Sequence, residues 1–150
     1  SQIYANQTLG SQGAGGGICI QEGSVSLNQS TLAENVTGTS GGGIYVVWGD
    51  VQVSEATFES NSADQAGGGL YFSSSSESSS LANSTISGNV AGVAGGGIAT
   101  SSWGTGSITL THVTVASNTA ATGSALDAIS ISTRNSLLSG TCTESVATSR

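Results

Sequence analysis

The run Gly-Gly-Gly-(Ile/Leu) occurs four times, at 15–18, 41–44, 67–70 and 95–98, and a worn copy, Gly-Ser-Ala-Leu, follows at 123–126. Successive copies start 26, 26, 28 and 28 residues apart. A fixed period in the twenties marks a solenoid, in which each repeat is one coil that buries its apolar face only against its neighbours. A second landmark keeps phase with the first: a Thr, an apolar residue and, four places after the Thr, an Asn. Its copies are Thr31, Leu32 and Asn35; Thr57, Phe58 and Asn61; Thr85, Ile86 and Asn89; and Thr114, Val115 and Asn118. Ile3 to Asn6 reads as the tail of an earlier, truncated coil. The spacing therefore predicts one domain over 1–150, with a partial coil at 1–14 and coils starting at 15, 41, 67, 95 and 123.

Within each coil the local pattern has period two. Val25 and Leu27 alternate with Ser24, Ser26 and Asn28; Val51 and Val53 with Asp50, Gln52 and Ser54; Ile108 and Leu110 with Ser107, Thr109 and Thr111. Such alternation reads as strands with one buried face, and no window carries a helical stripe. Aligned by repeat, the inward positions form ranks: Ile18, Ile44, Leu70, Ile98; Leu27, Val53, Leu81, Leu110; Leu32, Phe58, Ile86, Val115. Equivalent residues of successive coils then lie ~4.8 Å apart, the spacing of hydrogen-bonded strands. The expected fold is all-β, a parallel β-helix of about five coils. Gly41, Gly67 and Gly95 supply a corner where a Cβ would clash. Asn35, Asn61, Asn89 and Asn118 are expected to form an amide ladder in another turn. Proline is absent, which suits strands that all need their donors.

The paired landmarks resemble the repeat of the polymorphic outer-membrane protein family, in which Gly-Gly-(Ala/Ile)-(Ile/Leu/Val) alternates with Phe-x-x-Asn. Phe58 to Asn61 matches the second element literally, whereas Leu32, Ile86 and Val115 replace its Phe and a third Gly precedes the Ile of the first. The resemblance runs over roughly residues 3–126. It implies a right-handed parallel β-helix displayed at a cell surface or outside the cell, often as an adhesive autotransporter passenger. The implied partner is a host-cell or matrix surface protein or glycan. With no initiating Met, signal peptide or transmembrane stretch in view, the chain is expected to be a segment of a longer protein, or a stacking subunit.

Composition narrows the function further. The chain has no Lys, two Arg and a net charge of −7. Two cations cannot neutralise a polyphosphate track, and the same deficit disfavours anionic membrane surfaces, so neither nucleic acid nor direct membrane insertion is expected. Cys19 and Cys142 lie four or more coils apart, on the order of 20 Å at the strand spacing, too far for a disulfide. Asn-x-Ser/Thr sequons fall at Asn6, Asn28, Asn35 and Asn83, and the repeat consensus itself generates them. Asn35 lies in the ladder and is the poorest acceptor of the four; Asn28 and Asn83 are expected to be more exposed.

Candidate chemistry is thin. Gly38 to Gly42 fits Gly-x-Ser-x-Gly around Ser40, but the pattern needs a strand–turn–helix elbow and a nearby His, and the sole histidine is His112, about three coils away. His112 shares an outward polar rank with Gln29, Glu55 and Asn83. Carboxylates such as Glu22, Asp50, Glu55, Asp64 and Asp127 do not recur as the close group a polysaccharide-active enzyme needs. The file Thr31, Thr57, Thr85, Thr114 suits an ice-binding face, but the second parallel Thr file is missing. Tyr45 and Tyr71 occupy one outward rank, with Trp48 and Trp103 in the loops just beyond. These four aromatics are the candidate glycan contacts. Ser73–Ser80, broken only by Glu77, is the expected variable tip. The sequence thus predicts a non-enzymatic extracellular stalk, scaffold or adhesin without cofactor or metal. A filament subunit self-associating through the solenoid ends is the rival.

Overall fold

A computed structural model describes residues 1–74, 78–103, 106–128, 130–143 and 146–148. Among the described residues there is no helix, and the named strands pair in parallel. They stack as a β-solenoid of about five turns, as the repeat predicts. Three sheets run along it. One holds Gln2–Tyr4, Thr31–Ala33, Thr57–Glu59, Thr85–Ser87, Thr114–Ala116 and Leu137–Leu138. A narrow one holds Gln7–Thr8, Val36–Thr37, Ser62–Ala63 and Val90–Ala91. The widest begins with two unbroken strands, Ile18–Asn28 and Ile44–Ser54. In later coils each splits in two: Leu70–Phe72 with Ser79–Ala82, Ile98–Thr100 with Ile108–Thr111, Leu126–Asp127 with Ile131–Arg134.

The register puts like over like. Ile44 pairs with Ile18 and Leu70, Ile98 with Leu70 and Leu126, and Leu81 with Val53 and Leu110. Leu32, Phe58, Ile86 and Val115 follow one another along the third file, every one fully buried. Together with Val46, Val51, Phe72 and Ile131 these files make one continuous apolar column. Parallel pairing satisfies the backbone of each coil only through its neighbours, so the coils are interdependent.

Each coil turns at three left-handed corners, and only one of them is glycine in every coil. Gly15, Gly41, Gly67, Gly95 and Gly123 form the first, with φ between 54° and 74°. Gln29, Glu55, Asn83, His112 and Asn135 form the second; Ala5, Glu34, Ser60, Gly88 and Ser117 form the third. Glycine is demanded at the first because the chain folds back on it, a Cβ on Gly41 standing 2.5 Å from the Ile44 carbonyl oxygen, and at the residue after it because the next coil presses there. A Cβ on Gly42 would stand 2.4 Å from the Gly68 carbonyl oxygen and 2.7 Å from the Ser62 nitrogen, both backbone atoms that cannot step aside. The same pressure explains the worn triplet. Over Ser124 and Ala125 lie Gly140 and Thr141 in place of another Gly triplet, and the Ser124 N–H donates to Thr141 Oγ1 at 2.8 Å.

The structure also accounts for the change of period from 26 to 28. The connection across the widest sheet lengthens from 47–50 to 73–78 and then 101–107, yet Leu81 still pairs with both Val53 and Leu110. The final turn contracts instead: Cys142 pairs with Leu126, only 16 residues on. One expectation is corrected. Trp48 sits inside the strand Ile44–Ser54, opposite Glu22, and not in a loop. The strand continues through Gly49 (φ 148°) instead of breaking, because the missing Cβ of Gly49 admits the carbonyl of Gly23 beneath it, an oxygen that a Cβ there would meet at 1.8 Å. The Ser-rich tip expected at Ser73–Ser80 lies partly outside the described residues, Glu77 included.

After the second corner, Ser and apolar residues alternate from coil to coil: Ser30, Ala56, Ser84, Val113, Ser136. The Ala56 N–H donates to Ser84 Oγ at 3.1 Å and the Val113 N–H to Ser136 Oγ at 3.0 Å. Ser84→Ala leaves the Ala56 amide buried without an acceptor, and a loss of about 1–2 kcal/mol is expected in urea unfolding. An unchanged midpoint would show that the hydroxyl is dispensable.

Candidate functional site

Each turn offers an inner amide ladder and an outer surface, and the two have different chemistry. The ladder runs through Asn35, Asn61, Asn89 and Asn118, all buried. Asn35 Nδ2 donates to Asn61 Oδ1, Asn61 Nδ2 to Asn89 Oδ1, and Asn89 Nδ2 to Asn118 Oδ1, each at 2.9 Å. The same Oδ1 atoms accept the backbone N–H of the preceding Asn, and the Nδ2 groups also reach back to Ile3 O, Leu32 O, Phe58 O and Ile86 O. Asn6 joins below, donating to Asn35 Oδ1. With every amide engaged and buried, this rank offers nothing to a ligand, and Asn35 nothing to a glycosyltransferase. Asn28 and Asn83 are exposed.

The outer surface carries the candidate contacts. Tyr45 and Tyr71 are direct partners in the ladder and stack with centroids 5.3 Å apart and planes 29° from parallel. The rank does not continue as an aromatic file, since Cys19 pairs with Tyr45 and Ala99 with Tyr71. Both rings are half-buried beside the Gly corner, where a Cβ on Gly67 would stand 2.7 Å from the Tyr71 Cβ. They line a shallow depression of about 280 Å³ with Ser11, Gln12, Ala14, Thr39, Ser40 and Gln65. Burial, and then the neighbouring Tyr45, raise the Tyr71 pKa above the ordinary phenol value. Trp48 and Trp103 do not line this depression; they are 54% and 84% exposed, on the long strand and in the 101–107 connection.

Gln12 and Gln65 carry no signal in the sequence pattern. Gln12 belongs to the incomplete first coil. Gln65 stands two places before its corner, where the sibling positions are Thr39 and Val93, a rank fixed by backbone bonds from Gln65 N to Thr39 O and from Val93 N to Gln65 O, each 2.8 Å.

The remaining candidates are scattered. Ser40 is buried in the corner and its Oγ accepts the Ala66 N–H at 3.3 Å, so the hydroxyl is held as an acceptor where a nucleophile would have to be free. His112 occupies a left-handed corner, with Nε2 3.1 Å from Asn135 Nδ2. In the same rank Gln29 Nε2 donates to Glu55 Oε2 at 2.9 Å. Asp50 accepts from Gln52, and Asp127 from Thr143. Among the described residues no group of three or more His, Cys, Asp or Glu side chains could hold a metal ion. Cys19 and Cys142 are both free and exposed, one in the Tyr45 rank and the other in the Leu126 rank. Partial burial raises the Cys142 thiol pKa, opposed in part by a hydrogen bond with the Leu126 backbone. Near the start of the chain Tyr4 donates its hydroxyl to Glu34 Oε2 at 2.8 Å, and this bond raises its pKa. The threonine file Thr31, Thr57, Thr85, Thr114 is in register, but the file two places further on reads Ala33, Glu59, Ser87, Ala116, with no second row of hydroxyls.

Residues 55–73, which span the second Thr-apolar-Asn landmark and the third Gly corner, match the Chlamydia polymorphic membrane protein repeat. The chain thus carries a repeat of the polymorphic outer-membrane protein type on a parallel β-solenoid, and that repeat class points to a surface or autotransporter-type protein. No curated protein and no solved structure matches the chain.

Proposed function

We propose that this chain is a non-enzymatic, surface-displayed β-solenoid that acts as a stiff adhesive scaffold. The observation that carries this reading is the unbroken coil-to-coil register of the three files Ile18–Leu126, Leu27–Leu110 and Leu32–Val115, reinforced from inside by the asparagine ladder. Such a stack consumes its polar backbone in holding the rod together and leaves outward side chains free for contact. It also buries the one serine that a hydrolase motif would use.

Adhesion is tested with fluorescently labelled chain on intact epithelial cells. Saturable binding, competed by excess unlabelled chain and absent from heat-unfolded chain, is the expected result. Binding no greater than that of a composition-matched unfolded peptide overturns the adhesive part of the reading.

A further inference from the structure

From the depression at the Gly corner we infer a binding site for a neutral carbohydrate, built by Tyr45 and Tyr71 with the amides of Gln12 and Gln65. The inference deepens the adhesive reading by naming the ligand class and the residues that recognise it.

Three observations converge. The first is the aromatic pair. Stacked tyrosines that served only to stabilise a ladder would gain by continuing it, yet the pair stops at Cys19 on one side and Ala99 on the other. Small neighbours leave room beside the rings, and an aromatic face attracts the weakly positive C–H face of a pyranose.

The second is the set of unspent polar groups. The side-chain amides of Gln12 and Gln65 and the hydroxyls of Tyr45 and Tyr71 have no hydrogen-bond partner among the described residues, whereas Thr39 and Ser40 beside them are engaged. An amide offers a donor and an acceptor side by side, which matches vicinal sugar hydroxyls that donate and accept at once.

The third is charge. None of the lining residues is charged, and the chain has a net charge of −7 with no Lys, so an acidic glycan meets no counter-charge here. The opening also suits a ring lying flat. At about 280 Å³ it is shallow, as a site for one or two sugar units of a longer chain would be. The glycine corner keeps its floor clear, because a Cβ on Gly41 would stand 2.8 Å from the Tyr45 Cα.

The test uses the whole chain and three soluble probes: the β-1,4-linked tetramers of glucose and of N-acetylglucosamine, and sialyllactose as the charged control. Saturation-transfer NMR and titration calorimetry read binding. At least one neutral tetramer is expected to bind, and sialyllactose more weakly. Gln65→Ala is expected to weaken binding about tenfold, the equivalent of one lost hydrogen bond to the ligand. Tyr45→Ala is expected to weaken it at least as much, and Trp48→Ala to leave it unchanged. Gln65 is exposed, its side chain makes no hydrogen bond among the described residues and its backbone bonds survive the change, so its variant keeps the fold and the result stays interpretable if Tyr45→Ala unfolds. Failure of both neutral tetramers to bind overturns the inference, as does binding that survives Gln65→Ala and Tyr45→Ala, or sialyllactose binding as tightly as the neutral sugars. If cells are bound but no neutral sugar is, this site falls while adhesion stands. If sugars are bound but cells are not, the site stands and adhesion falls.

Discussion

Asn61→Ala is expected to destabilise the chain by about 3–5 kcal/mol, a large share of the ~5–15 kcal/mol that holds a typical domain folded. The substitution removes an oxygen that accepts both the Asn35 N–H at 3.1 Å and Asn35 Nδ2 at 2.9 Å, and an amide that donates to Leu32 O and Asn89 Oδ1. Asn35 Nδ2 retains Ile3 O, but the Asn35 backbone N–H is left buried with no acceptor. Each such orphan costs about 1–3 kcal/mol, and the lost amide leaves a void as well. Asn28→Ala, on the exposed face, is the control and should move stability by less than about 0.5 kcal/mol. Equal urea midpoints for the two variants would show that the ladder is ornamental. Asn61→Asp separates shape from donor capacity. It keeps an acceptor for Asn35 but turns a second oxygen toward two carbonyl-type oxygens, so it too should be strongly destabilising at neutral pH. Because burial raises the folded-state pKa of such a carboxyl, its stability should recover in acid and fall again as pH rises through that pKa.

Gly42→Ala should cost about 3 kcal/mol, at the upper end of overpacking penalties, because the added methyl meets only backbone. The Gly68 oxygen at 2.4 Å belongs to the next coil and the Ser62 nitrogen at 2.7 Å to Gly42's own, so relief requires moving the next coil outward and stretching the ladder around it. Gly88→Ala makes the informative comparison. Gly88 has a positive φ, 63°, which Gly42 lacks, but a Cβ there would find its nearest neighbour at 3.6 Å, and sibling corners carry Ala5, Glu34, Ser60 and Ser117. Its strain is partly offset by the reduced freedom of the unfolded chain, leaving a change of about 1 kcal/mol or less. Thermal unfolding that ranks the two alike would mean that the crowding at Gly42 is relieved at little cost and is not what the second glycine of the triplet serves.

The stacking was legible in the sequence because repetition supplies its own alignment. Once Phe58 is set over Leu32 and under Ile86, the period-two pattern fixes which residues face inward. The corners were less legible. Gly41 and its equivalents announce a turn because only glycine tolerates the crowding there. The other two corners accept Gln29, Glu55, Asn83 and His112, or Glu34, Ser60 and Ser117, with nothing in common beyond exposure. The tyrosine pair could be placed by rank, yet the amides beside it could not, since Gln12 and Gln65 reach it from different places in the repeat. Trp48 was misplaced for a related reason. Later coils carry a loop where this one continues through a glycine, and residue type alone does not separate the two.

The connections after Val46, Phe72 and Thr100 differ in length, yet Leu81 and Leu110 still come back to the same place behind them. An insertion at this spot therefore costs the interior nothing, because the wall resumes its phase as soon as the chain re-enters it. A lineage of such molecules could exchange or lengthen these segments one coil at a time. The exterior would diverge quickly while the pillar that supports it stays unchanged.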